Sequence, residues 1–186
     1  MTEHENTVVD LRALDLVSGG ATRLDLEVPV EDLVIAGQRY RVVPPGPSVA
    51  LDLSLSLSGW LFRLRFSAAV VGPCSRCLEE ATFPLEVDAR EFAAAGRGPD
   101  APFDEDLDCE YLTGDRLDVS AWVRDSVVEA LPGVIVCREE CAGICPTCGA
   151  NLNEGPCGCP QEVAIDARWG PLAGLAERLR KDQGAV

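Results

Sequence analysis

Histidine is nearly missing from this chain: of 186 residues, only His4 carries an imidazole. It lies in a polar, acidic stretch where a solvated side chain is expected. That removes most histidine-based acid–base catalysis and most catalytic zinc ligand sets. Lysine is as scarce, with Lys181 alone among 16 basic residues, a composition bias with no chemistry of its own. The basic residues face 31 acidic ones, for a net charge of −15. Such a charge argues against broad binding to phosphate backbones, while leaving room for a local basic surface or a basic protein partner. Long apolar runs are missing too. Residues 67–71 and 134–136 are strand-sized, far short of the roughly 20 residues that cross a bilayer, so no membrane association is expected. Residues 1–9 are polar and acidic rather than basic then apolar, so no signal peptide is read and a cytoplasmic location is expected. Neither a nucleophile–base pair nor a phosphate-binding loop is visible. Asp166 with Arg168 does not supply one, so neither an enzyme nor a small-molecule substrate is expected.

Cysteine, in contrast, is abundant, with nine residues. Cys145-Pro146-Thr147-Cys148-Gly149 is followed by Cys157-Gly158-Cys159 across a turn-forming stretch holding Asn151, Asn153, Gly155 and Pro156. Two pairs joined by a short polar turn can bring four thiolates onto one tetrahedral ion, and zinc prefers that set. Cys137 and Cys141 lie just upstream, and Cys74-Ser75-Arg76-Cys77 is a further CxxC between two strand patterns. Cys145, Cys148, Cys157 and Cys159 are grouped as one zinc site. Cys74, Cys77, Cys137 and Cys141 are a candidate second. A disulfide cluster is the competing reading, disfavoured by the expected reducing compartment, and free turn cysteines are the bland reading of the isolated CxxC. Four thiolates leave no open position for water, which makes such sites structural. Cys109 has no partner at ligand spacing and is read as a small buried hydrophobe.

The fold class expected is α+β: an antiparallel β-meander with an amphipathic helix and a C-terminal zinc-ribbon-like cysteine module. Residues 7–16 and 23–30 carry strand patterns, and 38–43 another. Pro44-Pro45-Gly46-Pro47 marks a linker or sharp loop. Leu51, Leu53, Leu55 and Leu57 alternate with polar residues, which puts the leucines on one face. Phe62, Leu64, Phe66, Ala68 and Val70 return on the same face, with Arg63 and Arg65 outside. A third strand spans 83–92, where Pro84 marks its start or an edge position. The acidic stretch with Asp100, Asp104, Glu105, Asp106, Asp108 and Glu110 reads as a solvated loop, or as a docking segment for a basic partner. Asp118 or Ser120 caps a helix whose stripe is Val119, Val123 and Val127, with Trp122 in the core. Pro132-Gly133 ends it, and 134–136 is expected as a short strand. Leu172, Leu175 and Leu179 mark a C-terminal helix. The domain division expected is 1–46 for N-terminal strands and linker, 47–136 for sheet and helix, and 137–186 for the cysteine module and last helix.

Four stretches carry a resemblance to a known family. They are Cys74-Ser75-Arg76-Cys77-Leu78-Glu79; Leu117-Asp118-Val119 with Ala130-Leu131-Pro132; the run from Cys141 to Asn153; and Ile165-Asp166-Ala167-Arg168-Trp169 before Leu172 and Leu175. Together, over about residues 51–180, they resemble the YceD family, the large ribosomal RNA subunit accumulation proteins. Ala167 departs from the family's usual proline, and Cys109 matches none of its motifs. The resemblance implies a non-enzymatic cytoplasmic factor in ribosome biogenesis, with ribosomal RNA or basic ribosomal proteins of the large subunit as partners. Arg76, Arg168 and Trp169 are the candidate binding residues beside family-matching motifs. The competing reading is a redox-switched zinc protein, a thiol sensor or chaperone, since CxxC followed by CxC also occurs in zinc centres that release metal on oxidation.

Overall fold

The computed structural model describes residues 7–96, 104 and 108–159. His4, Asp100, Glu105 and Asp106 of the acidic stretch, Arg168, Trp169 and the expected C-terminal helix lie outside them. The described residues form an antiparallel β structure with one helix. In chain order the elements are β1 (Val8–Asp10), a 3-10 helix (Leu11–Leu14), β2 (Ala21–Glu27), β3 (Leu33–Ile35), β4 (Gln38–Val43), β5 (Ser48–Ser56), β6 (Gly59–Pro73), β7 (Glu80–Ala94), β8 (Leu112–Thr113), β9 (Arg116–Asp118) and α1 (Val119–Glu129).

Strand β6 is the axis of the larger sheet. One of its edges pairs with β7 along its whole length, from Gly59 opposite Ala94 to Pro73 opposite Glu80. Its other edge is shared: β5 takes residues 59–65 and β4 takes 69–71. Strand β2 adds to β5, and β3 to β4. Period-two alternation drives this assembly. Leu51, Leu53, Phe62, Leu64, Val70 and Leu85 point to the buried face and are almost fully excluded from solvent. Each such side chain contributes about 1.5–3 kcal/mol through burial. The opposite face carries Arg23, Asp52 and Arg65, where Asp52 accepts from Arg23 Nε at 2.6 Å and Arg65 Nη2 at 2.8 Å. Arg63 and Asp88 form a two-bond pair at 2.6 and 2.7 Å on the same face.

Leu57 does not join the leucine face. The chain already turns at Leu57–Ser58, leaving Leu57 90% exposed. A methyl group at Gly59, where φ is +141°, would run into the Ala93 carbonyl, so the tight start of β6 requires glycine. Pro84 sits within β7, opposite Ala69, and not at its start. The edge reading holds: β6 is the only strand partner of β7 among the described residues.

A smaller three-stranded sheet, β1-β9-β8, leads into the helix. Asp118 ends β9 and caps α1, its carboxylate accepting from Ala121 N–H at 3.0 Å. Val119, Val123 and Val127, spaced at i+4, are fully buried, and Trp122 is stacked on Tyr111 with ring centroids 5.8 Å apart. These side chains join the sheet's apolar face in one core. Cys109 is buried in that core as well. Residues 134–136 form no strand. The Ile135 carbonyl instead accepts from Ser75 N–H at 2.9 Å and Ser75 Oγ–H at 2.8 Å, which ties this stretch to the connection between β6 and β7.

Candidate metal centres

The β6–β7 connection is a knuckle. Leu78 N–H donates to the Cys74 carbonyl at 2.9 Å and Cys74 N–H to the Glu79 carbonyl at 2.7 Å, which curls residues 74–79 and points two sulfurs the same way. Leu78 takes a left-handed φ of +65°, the place that Gly149 fills with φ +73° after Cys148. Glycine at this step is free of strain, so the first knuckle carries a local cost that its long hairpin must hold.

Cys137 and Cys141, after the helix, arrive opposite this knuckle. Cys74 Sγ lies 3.8 Å from Cys141 Sγ, and Cys77 Sγ lies 3.6 Å from Cys137 Sγ. Four sulfurs around a tetrahedral ion with bonds of about 2.3 Å stand about 3.8 Å apart, so this spacing fits a metal. Cys74, Cys77, Cys137 and Cys141 form one tetrad and Cys145, Cys148, Cys157 and Cys159 another, the sulfurs in each lying within 4.8 Å of one another. Either tetrad could hold a metal ion. In the first, all but Cys137 are buried; in the second, only Cys145 is.

The electrostatics differ from sulfur to sulfur within each tetrad. Burial works against the Cys74 thiolate, yet backbone N–H groups of Cys77, Arg76 and Cys137 outweigh it and bring the thiol down to about 6. Backbone N–H groups of Cys148 and Thr147 bring Cys145 to about 6 as well. Burial, reinforced by neighbouring thiols, pushes Cys77 up to about 12. Cys148 and Cys157 push Cys159 up to about 12. Within each tetrad, charge on one sulfur opposes charge on the next. A divalent cation removes that opposition and displaces the remaining protons.

The residues around the sulfurs are equally specific. Arg76 N–H donates to Cys74 Sγ at 3.4 Å. The Arg76 guanidinium donates to the carbonyls of Glu139 at 3.1 Å and Cys141 at 3.2 Å, clasping the Cys137–Cys141 segment to the knuckle. Gly143, at φ +76°, comes so close to the Arg76 carbonyl that an added Cβ would stand 3.1 Å from it. Asn153 Nδ2–H donates to Cys141 Sγ at 3.4 Å. By sequence alone Asn151 and Asn153 are turn formers, with no part in a site. A polar turn between two cysteine pairs was the only signal available for them.

Comparison with known proteins gives the chain its relatives. A family profile described as large ribosomal RNA subunit accumulation protein YceD matches residues 62–176. A chloroplastic homologue of that name from Arabidopsis thaliana is 37% identical over 69 residues, covering 37% of this chain and 21% of the plant protein. An uncharacterized protein of Mycobacterium tuberculosis is 32% identical over 139 residues, covering 73% of this chain and 66% of its own length. One of Mycobacterium leprae is 27% identical over 170 residues, covering 90% of this chain and 76% of its own. The chain thus spans about a fifth of the plant relative and about two thirds of the Mycobacterium tuberculosis one. No solved structure matches it significantly.

Proposed function

This chain belongs to the family of large ribosomal RNA subunit accumulation proteins, YceD, and on that premise we propose that it is a non-enzymatic accessory factor of ribosome biogenesis. It supports accumulation of large-subunit ribosomal RNA in the cytoplasm by binding pre-ribosomal components. The family match over residues 62–176 carries this reading. The absence of a catalytic constellation in the sequence agrees with it. Zinc fills both cysteine tetrads, and four sulfur ligands per ion leave no site for a reacting water. The metal then holds the recognition surface in shape.

The partner is a folded RNA–protein surface or a basic ribosomal protein of the large subunit. A net charge of −15 disfavours naked duplex nucleic acid, because no dense basic stripe is present to release counterions. Arg168 and Trp169 are the contact residues to substitute first. Arg76 already grips two backbone carbonyls, so its substitution should disturb the first tetrad as well. Depleting the protein from cells should lower the ratio of large- to small-subunit ribosomal RNA, and tagged protein should carry pre-ribosomal particles with it. Normal ribosome profiles after complete deletion, without a compensating paralogue, would overturn this reading.

A further inference from the structure

Cys141 of the first tetrad and Cys145 of the second are only four residues apart. The loop joining the second tetrad's two cysteine pairs folds back on the stretch between them. Cys145 N–H donates to the Ala150 carbonyl at 2.8 Å, and Leu152 N–H to the Gly143 carbonyl at 2.9 Å. Ile144 and Asn151 form an antiparallel bridge. As a result Asn153, which belongs to the second tetrad's loop by sequence, delivers its side chain to the first. Its Nδ2–H reaches Cys141 Sγ at 3.4 Å and Asn151 Oδ1 at 2.8 Å, while its Oδ1 accepts from Ala142 N–H at 2.8 Å. That last bond sets the amide orientation. Turned round, the amide would present its oxygen to a sulfur and to another amide oxygen, and its NH2 to a backbone donor.

We propose that Asn153 is a positioning residue that couples the two metal centres, so that filling the second tetrad raises the metal affinity of the first. The inference rests on the metal reading given above. A metal on Cys145, Cys148, Cys157 and Cys159 fixes both ends of the loop that carries Asn153. The ordered amide then holds the Cys141 sulfur in its ligating orientation and stabilises its charge. Partners of this kind around metal ligands change affinity by about 10- to 100-fold. Coupling is reciprocal, so the first centre strengthens the second by the same factor. The N–H···S bond from Arg76 to Cys74 is local to the knuckle and independent of this route.

The test is a titration of the full chain with cobalt(II), followed by the thiolate-to-cobalt absorption bands. Wild type should take up two equivalents with tetrathiolate spectra. Disabling the second tetrad with Cys148→Ser and Cys157→Ser should weaken cobalt binding at the first by about tenfold or more. Asn153→Ala should weaken it similarly, although Asn153 is no ligand and two equivalents still bind. Asn153→Asp, which sets a carboxylate against the thiolate, should weaken it further. Combining Asn153→Ala with the disabled second tetrad should cost no more than either change alone, as a shared route requires. Unchanged affinity at the first tetrad when the second is disabled would overturn the coupling. So would an undiminished further loss on disabling the second tetrad in the Asn153→Ala background. A wild-type chain that takes up no cobalt removes the metal reading and the coupling together, whereas two equivalents that load independently remove the coupling alone.

Discussion

Removing one ligand from each tetrad should destabilise the protein unequally, by an amount set by the length of chain that each metal closes. Cys77 and Cys137, in contact across the first tetrad, are 60 residues apart in sequence. Cys148 and Cys157 of the second tetrad are separated by nine positions. A cross-link restricts the unfolded chain by an entropy that grows with the logarithm of loop length. The corresponding stabilisation is about 4.3 kcal/mol for a loop of ~60 residues and about 2.6 kcal/mol for one of ~9. The difference, about 1.7 kcal/mol, depends only on the loop-length ratio. Cys137 and Cys148 are both exposed, so serine at either position should add little cost of its own. With free zinc buffered so that only intact tetrads are loaded, urea unfolding of Cys137→Ser should show the larger loss, by about 1.7 kcal/mol. Reciprocal coupling through Asn153 subtracts equally from both variants and leaves this difference intact. Equal losses, or a larger loss for Cys148→Ser, would refute the idea that the first tetrad is the long-range clamp.

Three further outcomes are expected. Asp118→Ala removes the helix cap that accepts from Ala121 N–H and should cost about 1 kcal/mol in urea unfolding, with metal content unchanged. The Asp52 carboxyl is held below its ordinary value by its hydrogen bond from Arg23, then that from Arg65. A carboxyl depressed in the folded state adds stability above its unfolded pKa and loses it as pH falls through its folded pKa. Urea midpoints of wild type and Asp52→Asn should therefore differ most near neutral pH and converge on acidification below about pH 4; a gap that widens in acid would contradict this. Cys109, whose thiol burial pushes up to about 12, lies outside both tetrads, so Cys109→Ser should retain the full metal content measured by elemental analysis.

The long strands were legible because one face is buried and the other wet, so alternation survives in the sequence. Residues 51–56 and 59–73 show it plainly, and the i+4 valines mark α1 just as directly. Strands β3, β8 and β9 were not legible. Each has only two or three residues, too few to display a period, and exists because a partner strand offers its edge. The pairing of β1 with β9 joins residues more than a hundred positions apart, and nothing local encodes that. Residues 134–136 misled for the opposite reason: Val-Ile-Val has strand composition, but Ser75 binds the Ile135 carbonyl that a ladder would need. The eight cysteines grouped as two candidate metal sites are the ones that the structure brings together in two tetrads, each built from two pairs close in sequence. The contacts of Arg76 and Asn153 depend on backbone carbonyls and a sulfur brought near by folding, and residue type does not announce those.

The placement of the first knuckle at the tip of the β6–β7 hairpin has a consequence for how the molecule is made. Synthesis is vectorial, and Cys74 and Cys77 leave the ribosome well before their partners Cys137 and Cys141. At roughly 5–20 residues per second, the intervening sixty or so residues take on the order of 3–12 s to appear. During that interval the newborn hairpin presents a bidentate thiolate pair and no more, a half-site able to take up an ion loosely and exchange it. Only when the helix and the segment behind it have emerged can the tetrad close around an ion. Capture of a metal by the full tetrad would thereby wait for Cys137 and Cys141, behind the helix, and a chain stalled or truncated before Cys137 is left with half of the tetrad.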